Sequence, residues 1–188
     1  SICGANNPHH AGYRATINSY MYGDATAIAN IAELAGERDI VDRFKKKAAT
    51  IKQNVEGQLW DESAAFFKVR LRDSLQQLCS ARELHGYTPW YFNMPGEKYA
   101  IAWKYLMDPK YFYAPYGPTT AEQNHPGFSI SYAGHECQWN GPSWPLATSI
   151  TLTGLANLLN NYRQDYITRK DYYQLVSIYT SSQQRKRE

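Results

Sequence analysis

The sequence predicts an all-α fold of antiparallel helix hairpins, forming part of an α/α toroid. Three observations predict it. Apolar residues recur at helical spacing in paired segments joined by very short turns. Strand-like alternation is confined to one short run. Long loops rich in Gly, Pro and aromatic residues separate the helical segments, and in a toroid such loops gather at one end and form the site.

Residues 1–12 read as a polar lead-in. His9 and His10 lie there without a third ligand nearby, so no metal site is expected. From Ser19 to Ala35, Met21, Ala25, Ile28, Ala32 and Ala35 mark a first helix, and Gly36 stands where a terminating glycine belongs. The small residues Ala25, Ala29 and Ala32 invite close approach of a neighbour. A second helix follows at once, with Ile40, Phe44, Ala48, Ile51 and Val55 on its stripe. So short a link makes the two antiparallel.

Leu59-Trp60-Asp61 closes that hairpin, and residues 66–71 (FFKVRL) read as a short strand. Residues 72–87 fit a helical turn or an irregular loop equally well. Arg82 and Glu83 could pair at the surface or grip hydroxyls. Pro95 opens a third helix with Tyr99, Ala102, Trp103, Leu106 and Met107 on one face, and Asp108-Pro109 stops it. After a long loop, residues 145–162 form a helix with Leu146, Ile150, Leu158 and Leu159 inward. Thr168, with Asp171 three residues on, starts the last helix in capping-box style, with Tyr172, Leu175, Val176 and Tyr179 as its stripe.

The loop from Tyr113 to Pro145 is the most informative stretch. A plain connector is short and polar; this one carries Trp139, Trp144, Glu122, Glu136 and further aromatics. Gly141-Pro142 and Trp144-Pro145 fix backbone direction and hold the indoles in set orientations. Flat rings beside Gln138 and Asn140 suit a pyranose, which offers a C–H face to stack and a rim of hydroxyls to bond. The competing reading is an aromatic core plug between helices.

The totals narrow the classes. The chain has 188 residues, enough for one domain with a real core. Sixteen Tyr and five Trp point to ligand contact or an unusually aromatic core. A net charge of +3 is too small to argue for nucleic acid, and residues 45–47 and 185–187 read as solvated surface. No apolar run has the length of a membrane span. Three cysteines allow at most one bridge and leave the redox compartment open. Both ends read as mid-domain, so the chain is expected to be a fragment of a longer protein.

Asp24, Glu83, Glu122 and Glu136 are the acids available for proton transfer. Glycoside hydrolysis needs two carboxyls, about 6.5–9.5 Å apart for inversion and about 5–5.5 Å for retention. No Gly-x-Ser-x-Gly elbow and no phosphate-cradling glycine motif occurs, and His135-Glu136-Cys137 lacks a matching second pair of zinc ligands.

The blocks RATINSYMYGDATAIANIAELAG, LWD, ARELHGYTPWYFNMP, APYGPTTAEQNHPGFS, ECQWNGPSWPLATS and DYYQLVSIYTSSQ occur in an order that resembles the catalytic domain of six-hairpin glycosidases. The branch is the mannosylglycerate-hydrolase-like one, related to the processing α-glucosidases of family 63. WNGPSWP is the most specific block. The resemblance implies an (α/α)6 barrel and hydrolysis of α-glycosidic bonds with inversion, by a general acid and a general base. It implies no cofactor. The family's acid and base motifs are not visible here, so no catalytic residue is carried over. By position in the blocks, Arg82, Glu83, Trp90, Tyr116, Thr119, Glu122, Glu136, Trp139, Asn140 and Trp144 are expected to contact carbohydrate. The expected partners are a carbohydrate substrate and the remainder of the same domain, with no nucleic acid or membrane. Relatives of this kind are often exported, the one pointer to an extracellular or periplasmic setting. The rival readings are a non-catalytic carbohydrate-binding or degenerate toroid, and a helical scaffold with an aromatic core.

Overall fold

Two long helices joined by a two-residue turn open the fold in the computed structural model, which describes residues 1–4, 12–72, 77–131 and 137–184. α1 spans Ala15–Ala35 and so begins ahead of the expected Ser19; α2 spans Arg38–Gln58. Gly36 ends α1 at φ +77°, a left-handed conformation that costs glycine little, and its N–H reaches the carbonyls of Ala32 and Glu33. The side of α1 that meets α2 is small: Ala15, Ser19, Ala25, Ala29 and Ala32 are buried against Val41, Ala48, Ile51 and Val55. The opposite side of α1 is apolar yet exposed, with Ile17, Met21, Ile28, Ile31 and Leu34 facing outward and Leu34 91% accessible.

The expected single strand at 66–71 is two strands with different partners. β1 (Gly12–Tyr13) pairs antiparallel with β4 (Arg70–Leu71), and β2 (Trp60–Asp61) with β3 (Phe66–Phe67). The change of partner falls at Lys68 and Val69. The Lys68 ammonium lies 3.1 Å from Asp61 and donates to the Ser80 carbonyl, while Val69 is buried with Cys3, Cys79 and Ala81. Asp61 also organises the β2–β3 turn, where one carboxylate oxygen accepts from Ser63 N–H, Ser63 O–H and Ala64 N–H.

Residues 77–87 are irregular until a 3-10 turn at Leu84–Tyr87, which runs into α3 (Thr88–Tyr91). The third helix expected from Pro95 is a 3-10 helix, Glu97–Tyr105. A three-residue period stacks Tyr99, Ala102 and Tyr105 on one side. Ala100 and Trp103 are buried as well, and the solvent face keeps the same three-residue period, with Lys98 and Lys104 exposed and Ile101 half-buried.

α4 (Pro145–Asn161) and α5 (Arg169–Ser182) form the closing pair. Leu146, expected inward, is 64% exposed; Ile150 and Leu159 are half-buried, and Leu158 is fully buried. The α5 capping box is present, with Thr168 and Asp171 bonded reciprocally. Asn157 ties α4 to α3 by donating to the carbonyls of Trp90 and Tyr91. The main core lies between these elements: Phe66 stacks on Phe112, and Phe66, Phe67, Tyr87, Trp90 and Trp103 meet edge-on or tilted, with Leu155, Leu158 and Leu175 beside them. Cys3 and Cys79 form a disulfide that pins the N-terminal turn to the segment before Arg82.

Candidate functional site

The long loop is fastened to the 82–84 segment and to itself. Leu84 N–H donates to the Thr120 carbonyl and Glu122 N–H to the Arg82 carbonyl. Thr120 Oγ1 donates to the Pro142 carbonyl and accepts from Gly141 N–H. Gly141 has no room for a side chain, since a Cβ there would sit 2.0 Å from the Ser129 carbonyl oxygen. Ser143 Oγ donates to the Gly117 carbonyl. These ties deliver Trp139 and Trp144 to the N-terminal end of α4, where Trp144 is the residue before the first turn.

The two indoles stack parallel, centroids 5.2 Å apart and planes within 3°. Trp139 Nε1–H donates to Cys137 Sγ, and Trp144 Nε1–H to the Gln138 carbonyl. Both rings are half-buried, and each borders a hollow. Trp139 lines one of about 220 Å³ with Thr16, Tyr20, His85, Leu146 and Ile150. Trp144 lines another of about 300 Å³ with Tyr116, Thr148, Tyr179 and Gln183. The pair therefore forms a partition with an open space on either side.

The other expected contact residues are placed differently. Arg82 and Glu83 do not pair with each other. The backbone at Glu83 is extended, so neighbouring side chains leave on opposite sides. Arg82 lies 2.7 Å from Glu122, donates through Nε and Nη2 to the Ala64 carbonyl, and sits over the rings of Tyr105 and Tyr111. This ion pair is largely buried, not the surface pair expected. Thr119 is buried and donates to the Ala121 carbonyl, and Trp90 is fully buried in the core. Asn140 donates to the Gly127 carbonyl and lines a separate hollow beside the disulfide. Tyr116 is exposed at the Trp144 hollow. Glu136, like His9, His10 and His135, lies outside the described residues.

Glu83 points the other way, into a charged cluster. One carboxylate oxygen accepts from Cys3 N–H; the other lies 3.1 Å from Arg14 Nη1 and 2.8 Å from His85 Nε2. Burial alone would raise this carboxyl. The hydrogen bond and charge of His85, the charge of Arg14 and the Cys3 N–H outweigh it and bring the pKa down to about 2. His85 and Thr16 are wall residues that sequence reasoning did not single out. No local pattern marked them, because His85 comes back to Glu83 through the 3-10 turn that begins at Leu84.

A profile of the mannosylglycerate hydrolase MGH1-like glycoside hydrolase domain matches residues 4–188. Among solved structures, one named "Sialidase" is 41% identical, with a TM-score of 0.90, over 99% of this chain and 17% of that one. The GH63 mannosylglycerate hydrolase of Thermus thermophilus, in complex with glucose, is 15% identical, with a TM-score of 0.64, over 89% of this chain and 37% of that one. Neutral trehalase Nth1 of Saccharomyces cerevisiae is 16% identical, with a TM-score of 0.65, over 86% of this chain and 29% of that one. No curated protein sequence matches. The chain thus spans well under half the length of the structures it resembles. Its hairpins are those of an α/α toroid.

Proposed function

The chain belongs to the family of mannosylglycerate hydrolase MGH1-like glycoside hydrolase domains, and from that premise we propose that it forms the saccharide-facing wall of a glycosidase that cleaves α-glycosidic bonds with inversion. The observation that carries this reading is the Trp139–Trp144 partition with a hollow against each ring. An indole face gives a sugar's C–H surface an apolar plate. Tyr116 and Gln183 at one hollow, and His85 at the other, supply polar groups around it.

The proton-transfer carboxyls of the reaction lie, in this proposal, on the remainder of the parent domain. Glu83 and Glu122 are buried and already held by Arg14, His85 and Arg82, and Asp24, on α1, lines neither hollow. Among the described residues, no two carboxyls line either hollow. The remainder of the parent also accounts for the exposed apolar side of α1, where Ile17, Met21, Ile28 and Ile31 need cover.

The test is an aryl α-glycoside assay on the full-length parent and on the 188-residue chain, with the anomer of the fresh product read by proton NMR. The parent is expected to release the inverted anomer and the isolated chain to release none. Turnover by the isolated chain, or a retained anomer from the parent, contradicts the proposal.

A further inference from the structure

His85 is held at two levels. Its backbone cannot shift: Leu84 N–H is bonded to Thr120, and Gly86 presses so closely on β3 that a Cβ there would meet the Phe66 ring at 2.3 Å and the Phe67 carbonyl at 2.5 Å. Its side chain is oriented by Glu83, whose carboxylate can only accept hydrogen bonds. Nε2 lies 2.8 Å from that carboxylate and therefore carries the hydrogen. Arg14 Nη1, 3.1 Å from both Nε2 and the carboxylate, directs its own hydrogen to the carboxylate, because two donors do not bond each other. In the neutral ring this leaves Nδ1 as a lone-pair acceptor.

Thr16 also lines the hollow, but its Oγ1 is shielded from solvent and so is closed to an occupant, which leaves His85 as the group that can meet one. The same hollow is lined by Trp139, Leu146 and Ile150. At about 220 Å³ the hollow lies below the roughly 300–1,000 Å³ of pockets for larger ligands, which limits the occupant to about one sugar ring.

Resting on the saccharide reading of this hollow, we infer that His85 is its hydroxyl-reading group. A pyranose with its C–H face on Trp139 gives one ring hydroxyl to Nδ1 of His85. Glu83 is the positioning residue that fixes the imidazole tautomer. His85 thereby sets which hydroxyl configuration the hollow accepts, since a site built around a hydroxyl rejects a sugar that lacks or misplaces it.

The experiment is a titration of the 188-residue chain, its histidines labelled with 15N, with methyl α-D-mannopyranoside and methyl α-D-glucopyranoside. The imidazole nitrogens are followed by long-range proton–nitrogen correlation, and the His85 signals are assigned by their loss in His85→Gln. The free chain is expected to show the Nε2–H tautomer at His85, and at least one of the sugars to shift Nδ1 of His85 while leaving unmoved His125, which lines the separate hollow beside the disulfide. His85→Ala should weaken that binding about tenfold, His85→Gln should restore part of it, and Glu83→Gln should mix the tautomers. If Trp139→Ala abolishes binding while His85→Ala does not weaken it, the His85 role is overturned and the saccharide site stands. If neither sugar perturbs His85 or the Trp139 environment, the saccharide reading and this inference fall together.

Discussion

Arg82 shows how one side chain can serve the fold where a surface role was expected. Its guanidinium meets Glu122 at 2.7 Å, the Ala64 carbonyl and two tyrosine rings, all inside the protein. Breaking a buried pair by removing one partner costs about 3–5 kcal/mol, because a charge is left uncompensated. Arg82→Ala is therefore expected to lower the unfolding free energy by that order, read from a urea titration. Arg82→Lys should fail to rescue it, since an ammonium cannot reproduce the planar fork. Glu83 gives the fold its acid sensitivity. Its carboxyl is depressed in the folded chain, so its stabilisation is present above the unfolded value near 4.5 and is lost as pH falls toward about 2. Asp61, also lowered to about 2 by its hydrogen bonds from Ser63, Ala64 and Lys68 and by the Lys68 charge, despite the opposing effect of burial, acts over the same window. Thermal midpoints measured from about pH 6 down to about pH 2 should fall steeply, and the Glu83→Gln variant should fall less over that interval. Arg82 and Glu83 also mark the limit of reading residues from sequence. Their types pointed to hydroxyl contacts, but partners such as Ala64 and Cys3, distant in sequence, cannot be read from local pattern.

At the scale of elements, the helices were legible and the 3-10 segments were not. α1, α2, α4 and α5 follow from apolar periodicity, and Gly36 and the Thr168–Asp171 box mark boundaries by backbone chemistry alone. The segment Glu97–Tyr105 carries so many large apolar residues that its period is ambiguous. The division of residues 66–71 between two partners depends on Cys79 and Lys68, which act across the fold. The disulfide is the element-scale device with the plainest consequence. It holds the N-terminal turn so that Cys3 N–H meets Glu83. Reduction, or Cys3→Ser with Cys79→Ser, is expected to cost about 2–5 kcal/mol, measured as the shift in urea midpoint. Hydrogen exchange at the Cys3 amide should rise in the same sample. Gly86→Ala should lower the thermal midpoint as well, because the added methyl meets the β3 backbone.

For the whole molecule, the order of hairpins and loops made the toroid legible, and WNGPSWP made the proposed saccharide site's location legible. The site's shape was not. That Trp139 and Trp144 stack on each other, so that each offers its remaining surface to a different hollow, depends on the ties among Thr120, Gly141, Ser129 and Ser143. The apolar side of α1 belongs to this scale too. In the parent domain, hydrogen exchange along Ala15–Ala35 should be slower than in the 188-residue chain, as burial of Ile17, Ile28 and Ile31 requires. The central claim is that the tryptophan partition holds substrate. Its most direct measurement is kcat/KM of the full-length parent with Trp139→Ala, alongside circular dichroism to establish an intact fold. A fall of about tenfold or more is predicted, and an unchanged kcat/KM in a folded variant would contradict it.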